Sequence, residues 1–318
     1  MTAVPWIDPE VASALDALPF ELSRALQPEG IPALRQTMEA LVQSPPPSEA
    51  VELLEIVAPG DPPVELRVHR PRAGGEGRPC VLWIHGGGLI SGSARLGDAV
   101  LQEWAERFGC VGASVSYRLA PEHPYPAALD DCYAGLRRLA DGAAELGIDP
   151  DAIGVAGSSA GACLAAAVAL RARDAGEVAL AFQLLDSPML DDRGGAGSSR
   201  WDCPTWDRET NETAWRAYLG GLAGGDVPPT AAPARADDLS GLPPSYVSVG
   251  SADLFFDEAV EYARRLAHAG VPTGLRVWAG GVHGFETLAP GSAIAARARL
   301  DRERWLEAAL SAPDTSRR

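Results

Sequence analysis

Short apolar runs recur along this chain, and most are separated by stretches with apolar residues at helical spacing. Val51–Ala58 and Val64–Pro71 alternate or run apolar on either side of the breaker Pro59-Gly60-Asp61-Pro62-Pro63, which predicts an antiparallel pair of strands. From Cys80 onward the runs lose their polar alternation. Cys80–His85, Cys110–Tyr117, Ala152–Ala156, Leu180–Leu185, Pro244–Gly250 and Thr273–Trp278 predict strands, and such continuous runs suit strands covered on both faces. Gly97–Phe108, Ala127–Leu146, Ala162–Arg171 and the stretch opened by Asp257 and Glu258 predict helices, and Gly291–Ser311 closes the chain as an amphipathic one. The two acids fit the helix dipole and need no other task. Pro313–Arg318 is expected to fray.

Two regions break this rhythm. Residues 1–45 are helix-like, with Asp8 as a cap and Ile31–Gln43 carrying helical spacing, until Pro45-Pro46-Pro47 interrupts the chain. Between Asp186 and Gly241 lies an insertion with Trp201, Trp206 and Trp215, a glycine-rich run at Arg193–Gly197 and one helical pattern at Asp207–Leu219. A segment of this kind between sheet elements often covers a site. Its tryptophans either line an apolar pocket or anchor the insertion to the body. Strands alternating with helices after an antiparallel start predict an α/β fold with an open, mostly parallel sheet and helices on both faces. Ligands of such sheets bind beyond the carboxyl ends of the strands.

Three stretches at those ends carry candidate chemistry. Gly157-Ser158-Ser159-Ala160-Gly161 follows one strand and precedes one helix, the context of a nucleophile elbow. The turn would push the Ser159 hydroxyl clear of the sheet, and the glycines let neighbouring segments approach. His85-Gly86-Gly87-Gly88 follows another strand, where three glycines can turn backbone N–H groups towards a developing oxyanion. Two N–H groups of this turn and that of Ala160 would make a three-donor hole. Asp253 leaves a third strand, and His283 sits between glycines beyond the last. The chain order Ser, Asp, His with a glycine turn upstream matches the α/β-hydrolase arrangement and differs from the orders of chymotrypsin and subtilisin. His123 lies in a proline-rich loop and is expected to be structural, while His69 and His268 occupy packing or surface positions.

Composition narrows the chemistry further. Hydrophobic residues make up 46% of the 318, enough for a sizeable core. A net charge of −16 disfavours nucleic acid or an anionic membrane as partner. All 27 basic residues are arginine, which excludes a Schiff-base lysine, a P-loop lysine and a Ser-x-x-Lys pair. The five cysteines are scattered and odd in number, as in a protein of a reducing compartment, and the five histidines show no metal-ligand spacing. No signal peptide and no run of membrane-spanning length is read, so a cytoplasmic protein is expected.

These residues resemble the bacterial branch of the hormone-sensitive-lipase-like carboxylesterases. The likeness spans about residues 80–290. It rests on His85-Gly86-Gly87-Gly88, the Tyr117–Asp131 loop, the serine elbow, Asp253 with Asp257 and Glu258, and His283-Gly284-Phe285. It implies an α/β-hydrolase fold with an eight-stranded, mostly parallel sheet and a helical cap. Residues 1–45 would form a cap segment and 46–318 the catalytic domain, with 187–230 adding to the cap. The implied site is a catalytic Ser159, Asp253 and His283, an oxyanion hole at Gly87, Gly88 and Ala160, and support from His85 and Gly86. Leu89, Ser158 and Phe285, which adjoin these motifs, and Trp206 of the insertion are candidates for the pocket wall. The expected substrates are small-molecule esters with short to medium acyl chains, with no cofactor, and a homodimer is implied. Ser158, Ala162, Leu254 and Ser187 stand where the family commonly has an acid, a glycine, a proline and a tyrosine, and none of the four carries a reacting atom. Amidases and formamidases use the same triad, and lyases and binding proteins occur on the same scaffold. The family's plant hormone receptors lack the histidine, which this chain keeps.

Overall fold

The computed structural model describes residues 5–18, 25–40, 42, 45–46, 48–194 and 197–311. Among these, eight strands form one sheet: β1 (Val51–Ala58), β2 (Val64–Pro71), β3 (Arg78–Ile84), β4 (Val111–Val115), β5 (Ile148–Ser158), β6 (Gln183–Asp186), β7 (Ser245–Gly250) and β8 (Thr273–Trp278). Their spatial order is β1-β2-β4-β3-β5-β6-β7-β8. β1 pairs antiparallel with β2, and β2 with β4, while every pairing from β4 to β8 is parallel. The helices are α1 (Pro9–Asp16), α2 (Ile31–Ala40), α3 (Asp98–Phe108), α4 (Ala127–Asp141), α5 (Ala143–Leu146), α6 (Ala160–Ala175), α7 (Arg208–Leu219), α8 (Phe256–His268), α9 (Phe285–Leu288) and α10 (Ala293–Ser311). No helix among the described residues is long and apolar enough to cross a membrane.

Side chains alternate across a strand, and the central strands are apolar at both phases, so the sheet builds two cores. Leu82, Ile84, Val155, Leu185 and Val247 face one side and pack with α4, α6 and α8. Val81, Trp83, Ala156, Leu184 and Tyr246 face the other, under Leu101 and Trp104 of α3 and Leu306 of α10. A third, smaller cluster seats Val11 of α1 against Val282, Phe285, Ile294 and Ala298.

The expected elements are present, with shifted ends. The helix expected over Ala127–Leu146 is two, α4 and α5, divided at Gly142. β5 begins at Ile148, before Ala152, and its register against β3 shifts between Arg78 and Cys80. β6 starts at Gln183, after Leu180. Asp8 caps α1 by accepting from the amides of Glu10 and Val11, and Asp207 caps α7. The helix expected at Ile31–Gln43 runs to Ala40. Gln43, Pro47, the Gly195–Ala196 part of the glycine-rich run and the tail from 313 lie outside the described residues.

The two irregular regions are tied to each other and to the sheet. The Ala25 amide donates to Asp207 at 2.7 Å and the Leu26 amide to Thr210 at 3.1 Å, which joins the N-terminal segment to the start of α7. On α8, Asp257 and Glu258 have a task that the sequence reading did not give them. Asp257 accepts from the Ser198 amide, and Glu258 from the amides of Leu190 and Asp191, so both hold the insertion.

A buried ion cluster docks α3 on β2. Arg67 makes two hydrogen bonds to Asp98, of 2.9 and 2.8 Å, and His69 lies 3.1 Å from the same carboxylate. Burial works to raise the Asp98 carboxyl, but the hydrogen bonds from His69 and Arg67 and the guanidinium charge outweigh it and hold it below the ordinary value. A depressed folded value means that this stabilisation is complete above the unfolded carboxyl's value, about 3.9, and is lost as pH falls through the lower folded one. Asp98→Asn is expected to cost about 3 kcal/mol in urea unfolding at pH 7 and to flatten the acid limb of the stability curve. An unchanged urea midpoint would show that the cluster contributes nothing to the docking.

Candidate active site

Ser159 stands between β5 and α6 with φ 56° and ψ −122°, a conformation that L residues rarely adopt. The surroundings hold it there. Its amide donates to the Asp186 carbonyl at 2.8 Å, and its carbonyl accepts from Met189, Ala162 and Cys163. A Cβ at Gly157 would collide with the Gly161 backbone, and one at Gly161 with the carbonyls of Ile84 and His85, so both close approaches depend on glycine. Since α6 starts at Ala160, its first N–H groups lie beside the serine without partners inside the helix.

The structure brings the three distant candidates together. His283 Nε2 lies 2.9 Å from Ser159 Oγ, and His283 Nδ1 lies 2.9 Å from Asp253 Oδ2. Asp253 is fully buried, and its second oxygen accepts from the Phe255 amide at 3.0 Å. Because a carboxylate only accepts, Nδ1 carries the proton and Nε2 is left to accept from the serine. The Phe255 ring meets the imidazole edge to face at 4.9 Å and keeps water from one side of it. Among the described residues no cluster of His, Cys, Asp and Glu has the arrangement of a metal site.

The glycine turn lies against this group. A Cβ at Gly86 would stand 3.2 Å from that of Ser159 and 2.9 Å from the Ser158 carbonyl. Gly87 and Gly88 have φ of 119° and 63°. The Gly87 carbonyl accepts from the amides of Ile90 and Ser91 and from the Ser91 hydroxyl, which fixes the direction of the turn. Tyr117 stacks on the His85 ring at 4.1 Å and donates to the His85 carbonyl at 2.9 Å. Burial pushes the His85 imidazole down to about 4, so the ring is neutral at physiological pH and donates to the Gly86 carbonyl.

A family model described as an alpha/beta hydrolase fold matches residues 81–287. The chain belongs to the hormone-sensitive-lipase-like α/β-hydrolases. Esterase LipI of Mycobacterium tuberculosis is 37% identical over 292 residues, covering 90% of this hydrolase and 88% of LipI. Carboxylesterase NlhH of the same organism is 37% identical over 295 residues, covering 90% and 91%. The solved structure of a bacterial heroin esterase matches with a TM-score of 0.90 at 40% identity, covering 97% of this chain and 99% of that one. With relatives of these activities along almost its whole length, this hydrolase is a carboxylic ester hydrolase.

Of the pocket candidates, Trp206 lies over the site. Its indole is 6.3 Å from the His283 ring, fills the space where a Gly88 side chain would stand, and donates to Asn211 at 3.2 Å. Ser158 is half-buried at the end of β5, paired with Asp186. Leu89 and Phe285 do not line open space, which corrects the expectation for both. Leu89 is 0% exposed in the main core, because φ 65° turns its side chain inward, and Phe285 is 2% exposed in the cluster beneath α1. His123 is exposed in the proline-rich loop, His268 is exposed on α8, and His69 is packed against Asp98.

Sequence reading missed Arg35. From α2 it donates to the carbonyls of Ile90 and Ala120 and forms a two-pronged pair with Glu122, whose carboxyl it holds down at about 2. Only the helical spacing around it was a signal, and that spacing does not show which loop a long side chain reaches.

Gly88→Ala is expected to lower kcat/KM for nitrophenyl acetate by about 100-fold, since the new methyl meets the indole at 2.5 Å on a backbone that favours glycine. A variant within threefold of the parent would show that the turn's backbone takes no part in the rate.

Proposed function

We propose that this enzyme hydrolyses small-molecule esters of short to medium acyl chains by two-step acyl transfer, with Ser159 as nucleophile, His283 as base and acid, and Asp253 as the group that orients the ring. The observation that carries this reading is the 2.9 Å contact from Ser159 Oγ to His283 Nε2 in an imidazole whose other nitrogen is held by a buried carboxylate. In the first step Nε2 takes the serine proton as Oγ attacks the ester carbonyl. The tetrahedral oxyanion is stabilised by the N–H groups of Gly87, Gly88 and Ala160, each worth about 3 kcal/mol when aimed at it. The imidazolium, stabilised by Asp253, returns the proton to the leaving alcohol. Water then attacks the acyl-enzyme with His283 again as base, which frees the acid and restores the serine.

In this reading residues 1–45 and 187–230 form a cap over the catalytic domain of 46–318. The hydrogen bonds from Ala25 and Leu26 to the start of α7 support it, as does the position of Trp206 over Gly88. We further propose a cytoplasmic setting, which five buried cysteines without a disulfide suit, and a homodimer, for which the outer edge of β8 with exposed Val277 offers a surface.

Ser159→Ala is expected to lower turnover of nitrophenyl acetate at least 10⁴-fold while leaving the unfolding midpoint within a few degrees. Undiminished turnover would refute the assignment. A series of nitrophenyl esters should show rates falling beyond medium acyl length, and a matched anilide should react far more slowly. A faster anilide would move the enzyme to the amidases.

A further inference from the structure

Behind the triad lies a group of charges that the proposed mechanism does not use. Arg302 of α10 is 8% exposed, yet it carries a guanidinium. Its Nη1 lies 3.0 and 2.9 Å from the two carboxylate oxygens of Glu286 and 3.4 Å from Asp186 Oδ2. The other oxygen of Asp186 accepts from the Ser248 hydroxyl at 2.5 Å. These partners come from the elements that deliver the triad. Asp186 ends β6, and its own carbonyl holds the Ser159 amide. Ser248 lies on β7, the strand that leads to Asp253. Glu286 lies on α9, the turn of helix that follows His283 and Gly284.

Burying three ionised groups is costly, and a cluster of this kind is weak evidence for stability, because apolar residues of similar size often serve as well. What it supplies is direction. Both carboxylates share one nitrogen, Nη1, of a planar group held in the core, so they cannot drift independently of each other. Each carboxylate here belongs to a segment whose main chain carries, or holds, a reacting side chain. We infer that Arg302 is a positioning residue, which locks the His283 loop to the backbone of the serine elbow through Glu286 and Asp186, with Ser248 adding the strand of Asp253. The surrounding charges fit this reading. Burial lifts the Glu286 carboxyl to about 7 against the pull of Arg302, so the place disfavours a carboxylate and Arg302 is the main charge that offsets this. Asp301 is occupied by the Tyr246 hydroxyl and Arg276, Arg299 reaches the Pro290 carbonyl, and Glu303 binds Arg107. Arg302 is thus the cation that joins the two carboxylates.

The inference rests on Ser159 being the nucleophile, and the test separates the two ideas. A fluorophosphonate probe modifies an activated serine with loss of fluoride, and its second-order rate measures how well Oγ and the imidazole are aligned, whatever ester is natural. If the parent labels no faster than Ser159→Ala, the proposed function falls and this inference with it. If the parent labels at Ser159, the rate for folded Arg302→Met should drop about tenfold, as expected for a misplacement well under an ångström. In nitrophenyl acetate hydrolysis kcat should fall with KM within twofold, and Arg302→Lys should recover part of the loss. A purely structural role would lower the unfolding midpoint and leave the labelling rate per folded molecule unchanged. A drop of less than threefold would overturn the inference. Should Arg302→Met not fold, Ser248→Ala and Asp186→Asn, each with a smaller perturbation, decide on the same threefold line.

Discussion

Everything at this site depends on one residue being kept in a backbone conformation that it does not favour. At φ 56° a serine is strained by an amount on the order of 1–3 kcal/mol, and it stays there only because its neighbours leave it no alternative. Its amide and carbonyl are both committed, to Asp186 on one side and to Met189 and the first turn of α6 on the other. Gly86, Gly157 and Gly161 surround it where any side chain would intrude. The strain lifts the hydroxyl off the sheet to where an imidazole from a loop beyond β8 can meet it. The parallel sheet supplies the rest, since β3, β5, β7 and β8 all end on that side and each delivers one component.

The fold was legible because the central strands are apolar at both phases. A run such as Cys80–His85 has no polar face to place in water, so it predicts a strand buried between layers of helices, and the two cores follow from which phase each residue occupies. Element ends were less legible. Gly142 interrupts a helix whose apolar spacing continues across it, and β5 takes in Asp149, Pro150 and Asp151, where its register against β3 shifts, ahead of the apolar run that marks it. That Ser159, Asp253 and His283 would meet could be read because each sits beside glycines or at a strand end, and the required order allows few arrangements.

The supporting residues were not legible, for a common reason. Arg35, Glu258, Phe255 and Arg302 act through contacts with segments remote in sequence, and nothing local marks them. Glu258 is the clearest case. At the start of a helix an acid needs no further explanation, yet this one is buried and binds two amides of the insertion. Burial and the nearby Asp191 and Asp253 charges raise its carboxyl well above the usual range, against the pull of the two amides. Leu89 and Phe285 failed in the opposite sense. Both adjoin motif residues, but adjacency in sequence says little about direction when the backbone turns at φ 65° or enters a new helix.

The Arg35 clamp grips main-chain atoms. Two of its donors meet the carbonyl oxygens of Ile90 and Ala120, which every amino acid possesses, and only the pair with Glu122 asks for a particular side chain. Positions 90 and 120 can therefore change side chain without loosening the hold on the loop that continues the glycine turn. The anchorage is thus written mostly in the shared backbone, with one carboxylate as its single variable part.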